Sequence, residues 1–141
     1  MQQKIVLGSA QFGLSYGVAN NSGQISIQDS KKIIQLAKNA KINKIDTAIS
    51  YGNSEKSLGN IGILGWEVIT KISEASLDVK NIKSWLFDEV YGSINRLGVS
   101  KLYAVLLHNT TILSLDKADE YWTALSKLKE QGVIENIGYS I

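Results

Sequence analysis

The stretch KIDTAISYGNSE, residues 44–55, begins like a buried strand and then changes character. Ile45 is followed at once by Asp46, and small and polar residues continue as far as Tyr51. A strand that served packing alone would continue with apolar residues. The stretch therefore predicts a β-strand that runs into a loop carrying chemically reactive side chains.

On both sides of this stretch the chain alternates between strand and helix patterns. Short apolar runs predict five strands, at residues 4–9, 44–48, 66–71, 102–108 and 136–141. Apolar residues at helical spacing predict four helices between them, at residues 26–40, 54–62, 82–97 and 116–131. Such alternation with short links predicts an α/β fold with a parallel sheet and helical crossovers.

Two architectures fit this pattern. An open, doubly wound sheet of five strands matches the length of 141 residues directly. A closed (β/α)8 TIM barrel needs about 250 residues, so on that alternative the chain holds little more than half of a barrel. No internal repeat or interior linker is visible, and a single domain over residues 1–141 is expected.

Several residues predict where helices begin and end. Ser26 followed by Asp29 resembles a capping box, and Asp78 is expected to cap the third helix. Gly98 is placed to end that helix. The fourth helix is expected to turn one set of side chains inward, namely Ala118, Tyr121, Trp122, Leu125 and Leu128.

Composition and charge exclude several functional classes. The net charge is +2 without a basic block, which argues against nucleic acid or an anionic membrane as the main partner. The chain has one His and no Cys, which excludes disulfides and argues against a structural zinc site, so no metal is expected. The sequence shows no secretory signal and no run of 18 apolar residues, which predicts a soluble cytoplasmic protein.

Four reactive side chains lie at or just after the ends of consecutive predicted strands. Asp46 is near the end of the second strand and Tyr51 in the loop after it, while Lys71 and His108 end the third and fourth strands. The carboxyl ends of parallel strands share one face, so these residues are expected to converge.

That set suits proton transfer to oxygen. An ammonium beside a phenol stabilises the phenolate, so Lys71 held by Asp46 would make Tyr51 a better acid, and His108 would orient a carbonyl. Each residue alone also has a structural explanation, as a solvated cation, a packed aromatic, a strand terminator or a turn residue. The combination of the four types is what favours a site.

Two glycine patterns do not indicate a nucleotide site. GSAQFGLS, residues 8–15, has the glycine spacing of a phosphate loop, but Leu14 stands where such a loop has its lysine. GNIGILG, residues 59–65, has the wrong glycine intervals for a dinucleotide fingerprint. Neither pattern therefore predicts phosphate binding.

Taken together, the motifs resemble those of the aldo-keto reductase family over nearly the whole chain. The segments that carry the resemblance are LGSAQFG, IDTAISYGNSE, VITK, LLH and GVIENIGYS. The resemblance implies a TIM barrel and a catalytic tetrad of Asp46, Tyr51, Lys71 and His108, with Tyr51 as the general acid. It also implies NADPH, or NADH, as hydride donor to a small aldehyde or ketone.

The resemblance further implies which residues contact the cofactor. Ser140 matches the position that contacts the nicotinamide carboxamide, and the loop of Ala10, Gln11 and Phe12 would lie beside the same ring. The segment SAQFGLSYGVAN, residues 9–20, is most similar to family members associated with bacterial surface-sugar biosynthesis.

The chain also departs from the family pattern. The family barrel has eight strands, and the segments that hold the cofactor's pyrophosphate and adenosine phosphate follow the fifth. This sequence ends at Ile141, where many members carry an Asn. The expectation is an incomplete barrel, truncated or cut from a longer reductase, that lacks the phosphate-binding part of the site and has weak activity or none.

The exposed edges of a half-barrel also predict a homo-oligomer, for example a dimer. One alternative function is a non-catalytic half-barrel module that self-associates or binds a protein partner. Another is an open-sheet domain that binds some other small ligand. The sequence leaves these alternatives open.

Overall fold

A computed structural model describes residues 5–114 and 116–141. Lys4, the first residue of the predicted first strand, lies outside the described residues. The five strands are β1 (Leu7–Gly8), β2 (Lys44–Asp46), β3 (Glu67–Ile72), β4 (Leu102–Leu107) and β5 (Ile134–Tyr139). The α-helices are α1 (Ala10–Gly13), α2 (Ile27–Asn39), α3 (Ser54–Ile61), α4 (Ile82–Leu97) and α5 (Ala118–Glu130), and a 3-10 helix covers Thr110–Ser114.

All neighbouring strands pair in parallel, and their order in the sheet is their order in the chain. A doubly wound sheet would reverse its strand order at a switch point, so the open-sheet alternative is wrong. Consecutive parallel strands with a helix after each are the repeating units of a TIM barrel. The predicted fold class, an incomplete barrel of (β/α) units, is confirmed.

The helix ends follow local chemistry, with one correction. The Ser26 side chain accepts a hydrogen bond from the Asp29 amide, as the capping pattern predicts, and Gly98 ends α4 with φ of 65°. The predicted Asp78 cap is wrong, because the Asn81 side chain caps α4 by accepting from the Ser84 amide. An amide oxygen directly before the helix reaches that N–H, whereas Asp78 lies three residues further out.

Two further sequence predictions need correction. The four-helix prediction missed α1, a single turn of helix, so the predicted loop of Ala10, Gln11 and Phe12 is in fact the start of a helix. Trp122 was expected inside, yet it is 41% exposed, and Ala124 is buried instead. The buried stripe of α5 runs through positions 121, 124, 125 and 128, which leaves position 122 beside the stripe.

The core lies between the sheet and its helices. Strand residues Val68 and Val105 and helix residues Leu58, Leu86 and Leu125 are all fully buried there. Burying each such side chain contributes about 1.5–3 kcal/mol to folding. This core holds the strands in place and so fixes the positions of the side chains at their carboxyl ends.

The strand register brings the predicted site residues to one face of the sheet. Asp46 pairs with Ile69, two residues before Lys71, and Lys71 pairs with Leu106, two residues before His108. Side chains alternate between faces with a period of two, so these three side chains share a face. Within the described part of the chain, no helix is both long and apolar enough to cross a membrane.

Candidate active site

An ion pair with a buried ammonium forms the centre of the site. The Lys71 ammonium donates to both carboxylate oxygens of Asp46, at 2.7 and 2.6 Å, and to the main-chain carbonyl of Thr47 at 3.1 Å. Lys71 is only 6% exposed, and the Asp46 side chain is 31% exposed. An ammonium with three such acceptors is fixed in position.

The Tyr51 hydroxyl lies 3.4 Å from the Lys71 ammonium. The Tyr51 loop is held by close backbone approach, since a Cβ on Gly13 would overlap the carbonyl oxygen of Tyr51. Gly52 takes φ of 54°, a left-handed conformation that glycine adopts without strain. The two glycines let α1 press against the loop and hold the phenol beside the cation.

Three hydroxyl groups that the sequence analysis did not single out support this loop. The Ser54 hydroxyl donates to Ser9, and the Thr47 hydroxyl donates to Ser54 at 3.0 Å. The Ser9 hydroxyl donates to the carbonyl of Asp46 at 2.9 Å, and all three residues are fully buried. These hydrogen bonds link the end of β1, the end of β2 and the start of α3. Small hydroxyl residues at or near the ends of the first two predicted strands were the available signal.

His108 completes the group of four. Its ring lies edge-on to Tyr51, with 5.8 Å between ring centroids and 76° between planes. Burial lowers the pKa of His108 below its ordinary value of 6.5, the Lys71 charge lowers it further, and the Asp46 charge partly offsets both. The imidazole is therefore neutral near pH 7 and can donate a hydrogen bond from one nitrogen.

A cleft of about 560 Å³ opens beside Asp46 and Tyr51. All three residues predicted to lie beside the nicotinamide line it, which are Ala10, Gln11 and Phe12. Phe12 is itself buried in the core, so it supports the wall more than it exposes a surface. The Gln11 amide donates to the Tyr16 carbonyl at 2.8 Å, which ties the following loop to the cleft.

Ser140 lies directly after β5, and its amide donates to the Leu107 carbonyl at 2.9 Å. Leu106 pairs with Gly138, so Ser140 stands at the level of His108 and on the same face. The structure thus brings the four predicted catalytic residues together and sets Ser140, directly after β5, at the level of His108, directly after β4. The described residues include no cluster of three His, Cys, Asp or Glu side chains suited to a metal ion.

A buried carboxylate that was not predicted from the sequence, that of Glu55 on α3, lies against the opposite face of β3. Glu55 accepts from the Thr70 hydroxyl at 2.7 Å and from Arg96 Nε at 2.7 Å. Thr70 precedes Lys71 and therefore points into the helix layer. The network joins β3, α3 and α4 directly behind the ion pair of Lys71 and Asp46.

Comparisons with known proteins identify the family and the fold of the chain. The model of the aldo/keto reductase family matches residues 4–141. Because the match covers nearly the whole chain, the protein belongs to the aldo/keto reductase family, and the predicted resemblance is confirmed.

Solved structures with the same fold include a Pseudomonas aeruginosa protein assigned to the aldo-keto reductases. Two structures of this description match with TM-scores of 0.78 and 0.76 at 29% and 26% identity, and each covers 96% of this chain. An aldo-keto reductase from Bacillus halodurans, in its holo form, shares the fold with a TM-score of 0.74 at 22% identity and 96% coverage. No curated protein matches the chain.

The matched region is only part of these relatives. It covers 54% and 53% of the Pseudomonas aeruginosa chains and 45% of the Bacillus halodurans chain. The protein described here therefore spans about half the length of the solved structures it matches.

Proposed function

We propose that this chain forms the catalytic rim of an NAD(P)H-dependent reductase that acts on a small aldehyde or ketone. The observation that carries the proposal is the Lys71 ammonium, held by Asp46 and placed 3.4 Å from the Tyr51 hydroxyl. This arrangement of Lys71, Asp46 and Tyr51 lies at the carboxyl ends of parallel strands in a member of the aldo/keto reductase family.

The lining of the cleft is consistent with part of a nicotinamide cofactor. Ala10 and Gln11 line it beside Tyr51, and none of the described residues along it is Lys or Arg. The cleft therefore suits the uncharged carboxamide ring better than the phosphates, as expected if the phosphate-binding segments follow the fifth strand. Ala10, Gln11, Phe12 and Ser140 are the residues proposed to hold the ring, and the bound cofactor supplies the hydride.

In the proposed reaction, Tyr51 is the general acid. Its hydroxyl gives a proton to the carbonyl oxygen of the substrate, and the resulting phenolate is stabilised by the ammonium of Lys71. Asp46 holds that ammonium in place by accepting two hydrogen bonds from it. The neutral ring of His108 donates an N–H to the same carbonyl oxygen and so orients the substrate.

The proposal is tested by substituting the acid. Tyr51→Phe removes one oxygen atom and is expected to lower NADPH-dependent reduction of an activated aldehyde, such as 4-nitrobenzaldehyde, by about 100-fold or more. Tyr91→Phe is the matched control, because Tyr91 is an exposed tyrosine on α4. Equal turnover in both variants would refute the assignment of Tyr51.

A titration of the wild-type chain with NADPH, followed by cofactor fluorescence, separates binding from chemistry. Saturable binding is the expected result. Absence of binding at millimolar cofactor, with the chain folded, would refute a working cofactor site in this chain.

Self-association stays a prediction. Apolar side chains next to the two edge strands are exposed, including Ile5 and Val6 beside β1 and Tyr139 in β5. Exposed apolar groups along a sheet edge favour pairing with another chain. Light scattering of the purified chain would show a dimer if the prediction holds and a monomer if it does not.

A further inference from the structure

Ser50 makes a contact that has no part in the proposed mechanism. Its hydroxyl oxygen lies 3.1 Å from Nδ1 of His108, although 58 positions separate the two residues. Ser50 stands in the loop directly before Tyr51, and His108 stands directly after β4. The contact therefore joins the loop of the proposed acid to the proposed substrate-orienting imidazole.

A neutral imidazole has one N–H and one acceptor nitrogen, so two tautomers are possible. A hydroxyl rotates freely and can donate to Nδ1 or accept from it. If Ser50 donates to Nδ1, the ring proton of His108 stands on Nε2. If Ser50 accepts, the ring presents a bare nitrogen on its far side.

The surroundings favour donation by Ser50. The contact at Nδ1 is the one hydrogen bond that the ring makes to another described residue, which leaves Nε2 open. A neutral imidazole in water already prefers its proton on Nε2, and a donor at Nδ1 strengthens that preference. The groups around the ring are the Lys71 ammonium, the Asp46 carboxylate and the Tyr51 phenol, and the first two act on its pKa in opposite directions.

We infer that Ser50 is a positioning residue that donates to Nδ1 of His108 and thereby holds the ring proton on Nε2. A carbonyl oxygen can only accept a hydrogen bond, so this tautomer is the one that can orient a carbonyl substrate. The inference deepens the proposed function and rests on it for its purpose. The tautomer itself can be measured whether or not the chain turns over.

The chain has a single histidine, so its imidazole signals need no further assignment. A long-range proton–nitrogen NMR correlation on the folded, nitrogen-15-labelled chain at about pH 7.5 reports which ring nitrogen carries the proton. The expected wild-type spectrum shows Nδ1 in the unprotonated range and Nε2 in the protonated range.

Three variants sharpen the measurement. In Ser50→Ala the two nitrogen signals are expected to move toward each other, as the ring returns to the mixture of tautomers of a free imidazole. Ser50→Thr keeps the hydroxyl and should restore the wild-type positions. Ser84→Ala is the matched control, because Ser84 is exposed on α4 and its side chain takes no part in the cap.

Either of two results overturns the inference. One is a wild-type spectrum with the proton on Nδ1, and the other is a Ser50→Ala spectrum that cannot be told from that of Ser84→Ala. Since Ser50 is exposed, the alanine variant should fold, and circular dichroism checks this. If the Nε2–H tautomer depends on Ser50 but the chain shows no carbonyl reduction, the proposed function is refuted while the role of Ser50 is upheld.

Discussion

Two consecutive residues of β3 face opposite sides of the sheet, and each contacts a carboxylate. Lys71 points to the rim and pairs with Asp46, while Thr70 points into the helix layer and donates to Glu55. Glu55 is 3% exposed and also pairs with Arg96. One strand thus supports a carboxylate–cation pair on each face.

The two pairs differ in what surrounds them. Each oxygen of the Glu55 carboxylate accepts a hydrogen bond from a protein donor, and the Glu55 side chain is 3% exposed, which suits a purely structural role. The ammonium of Lys71 instead has the Tyr51 hydroxyl at its outer side, next to an open cleft. The carboxylate of the pair is therefore enclosed by protein on one face of the strand, whereas on the other face the pair lies beside an open cleft and a phenol.

The largest expected effect is on turnover, from Lys71→Met. Removing the ammonium should lower aldehyde reduction by about 100-fold or more, because the phenolate of Tyr51 loses its stabilising charge. The loss of folding free energy should be smaller than for Arg96→Met, since water can reach the Asp46 side chain, which is 31% exposed, whereas Glu55 is 3% exposed. If Lys71→Met kept wild-type turnover, the proposed difference in function between the Lys71–Asp46 pair and the Arg96–Glu55 pair would be wrong.

Arg96→Met should show the reverse pattern. It leaves the buried carboxylate of Glu55 without its cation, and the free energy of unfolding in urea should fall by about 3 kcal/mol. Turnover per folded molecule should change little. Lys127→Met, which breaks an exposed pair with Glu130, is the control and should cost less than about 1 kcal/mol. If Arg96→Met and Lys127→Met lowered the free energy of unfolding equally, the Glu55–Arg96 pair would contribute no more to stability than an exposed ion pair.

Gly13→Ala tests how closely α1 must approach the Tyr51 loop. The added methyl group would overlap the Tyr51 carbonyl, so the backbone must shift, at a cost of about 1–3 kcal/mol in urea unfolding. Gly8→Ala is the control, because a Cβ there meets no atom within 4 Å. A neutral Gly13→Ala variant would mean that the loop is not held by this approach.

The smallest effect concerns pH and His108. Burial and the Lys71 charge lower the pKa of His108 in the folded chain. As the pH falls through about 6.5, the unfolded chain therefore binds a proton that the folded chain does not, and stability decreases. The stability of wild type relative to His108→Gln should thus be lower at about pH 5.5 than at about pH 7.5. A constant difference between those two pH values would contradict the lowered pKa.

Much of the fold follows from patterns within short stretches of chain. The alternation of strand and helix, the Ser26 cap and the glycine end of α4 were all predicted, because each depends on neighbours a few residues away. The convergence of Asp46, Lys71 and His108 was also predictable, since parallel strands bring their carboxyl ends to one edge. Their catalytic roles stay predictions.

Other features escaped prediction because they join distant parts of the chain. Glu55 and Arg96 are 41 positions apart, and Ser50 and His108 are 58 apart. Their meeting depends on how α3 and α4 pack on the sheet and on strand register, and no periodicity in the sequence encodes these. The burial of Ala124 instead of Trp122 likewise depends on how α5 is rotated against its neighbours.

The sequence by itself determined which residues could react and at which strand ends they would stand, because periodicity and strand direction are local properties. Only the tertiary structure decided which partners those residues have. It placed Lys71 between Asp46 and Tyr51, closed the hydroxyl chain of Ser9 and Ser54, and buried Glu55 behind them. Burial and the distances between side chains are fixed only when separate elements pack together. They determine which partners each side chain can contact and in which direction the pKa of a group such as His108 shifts.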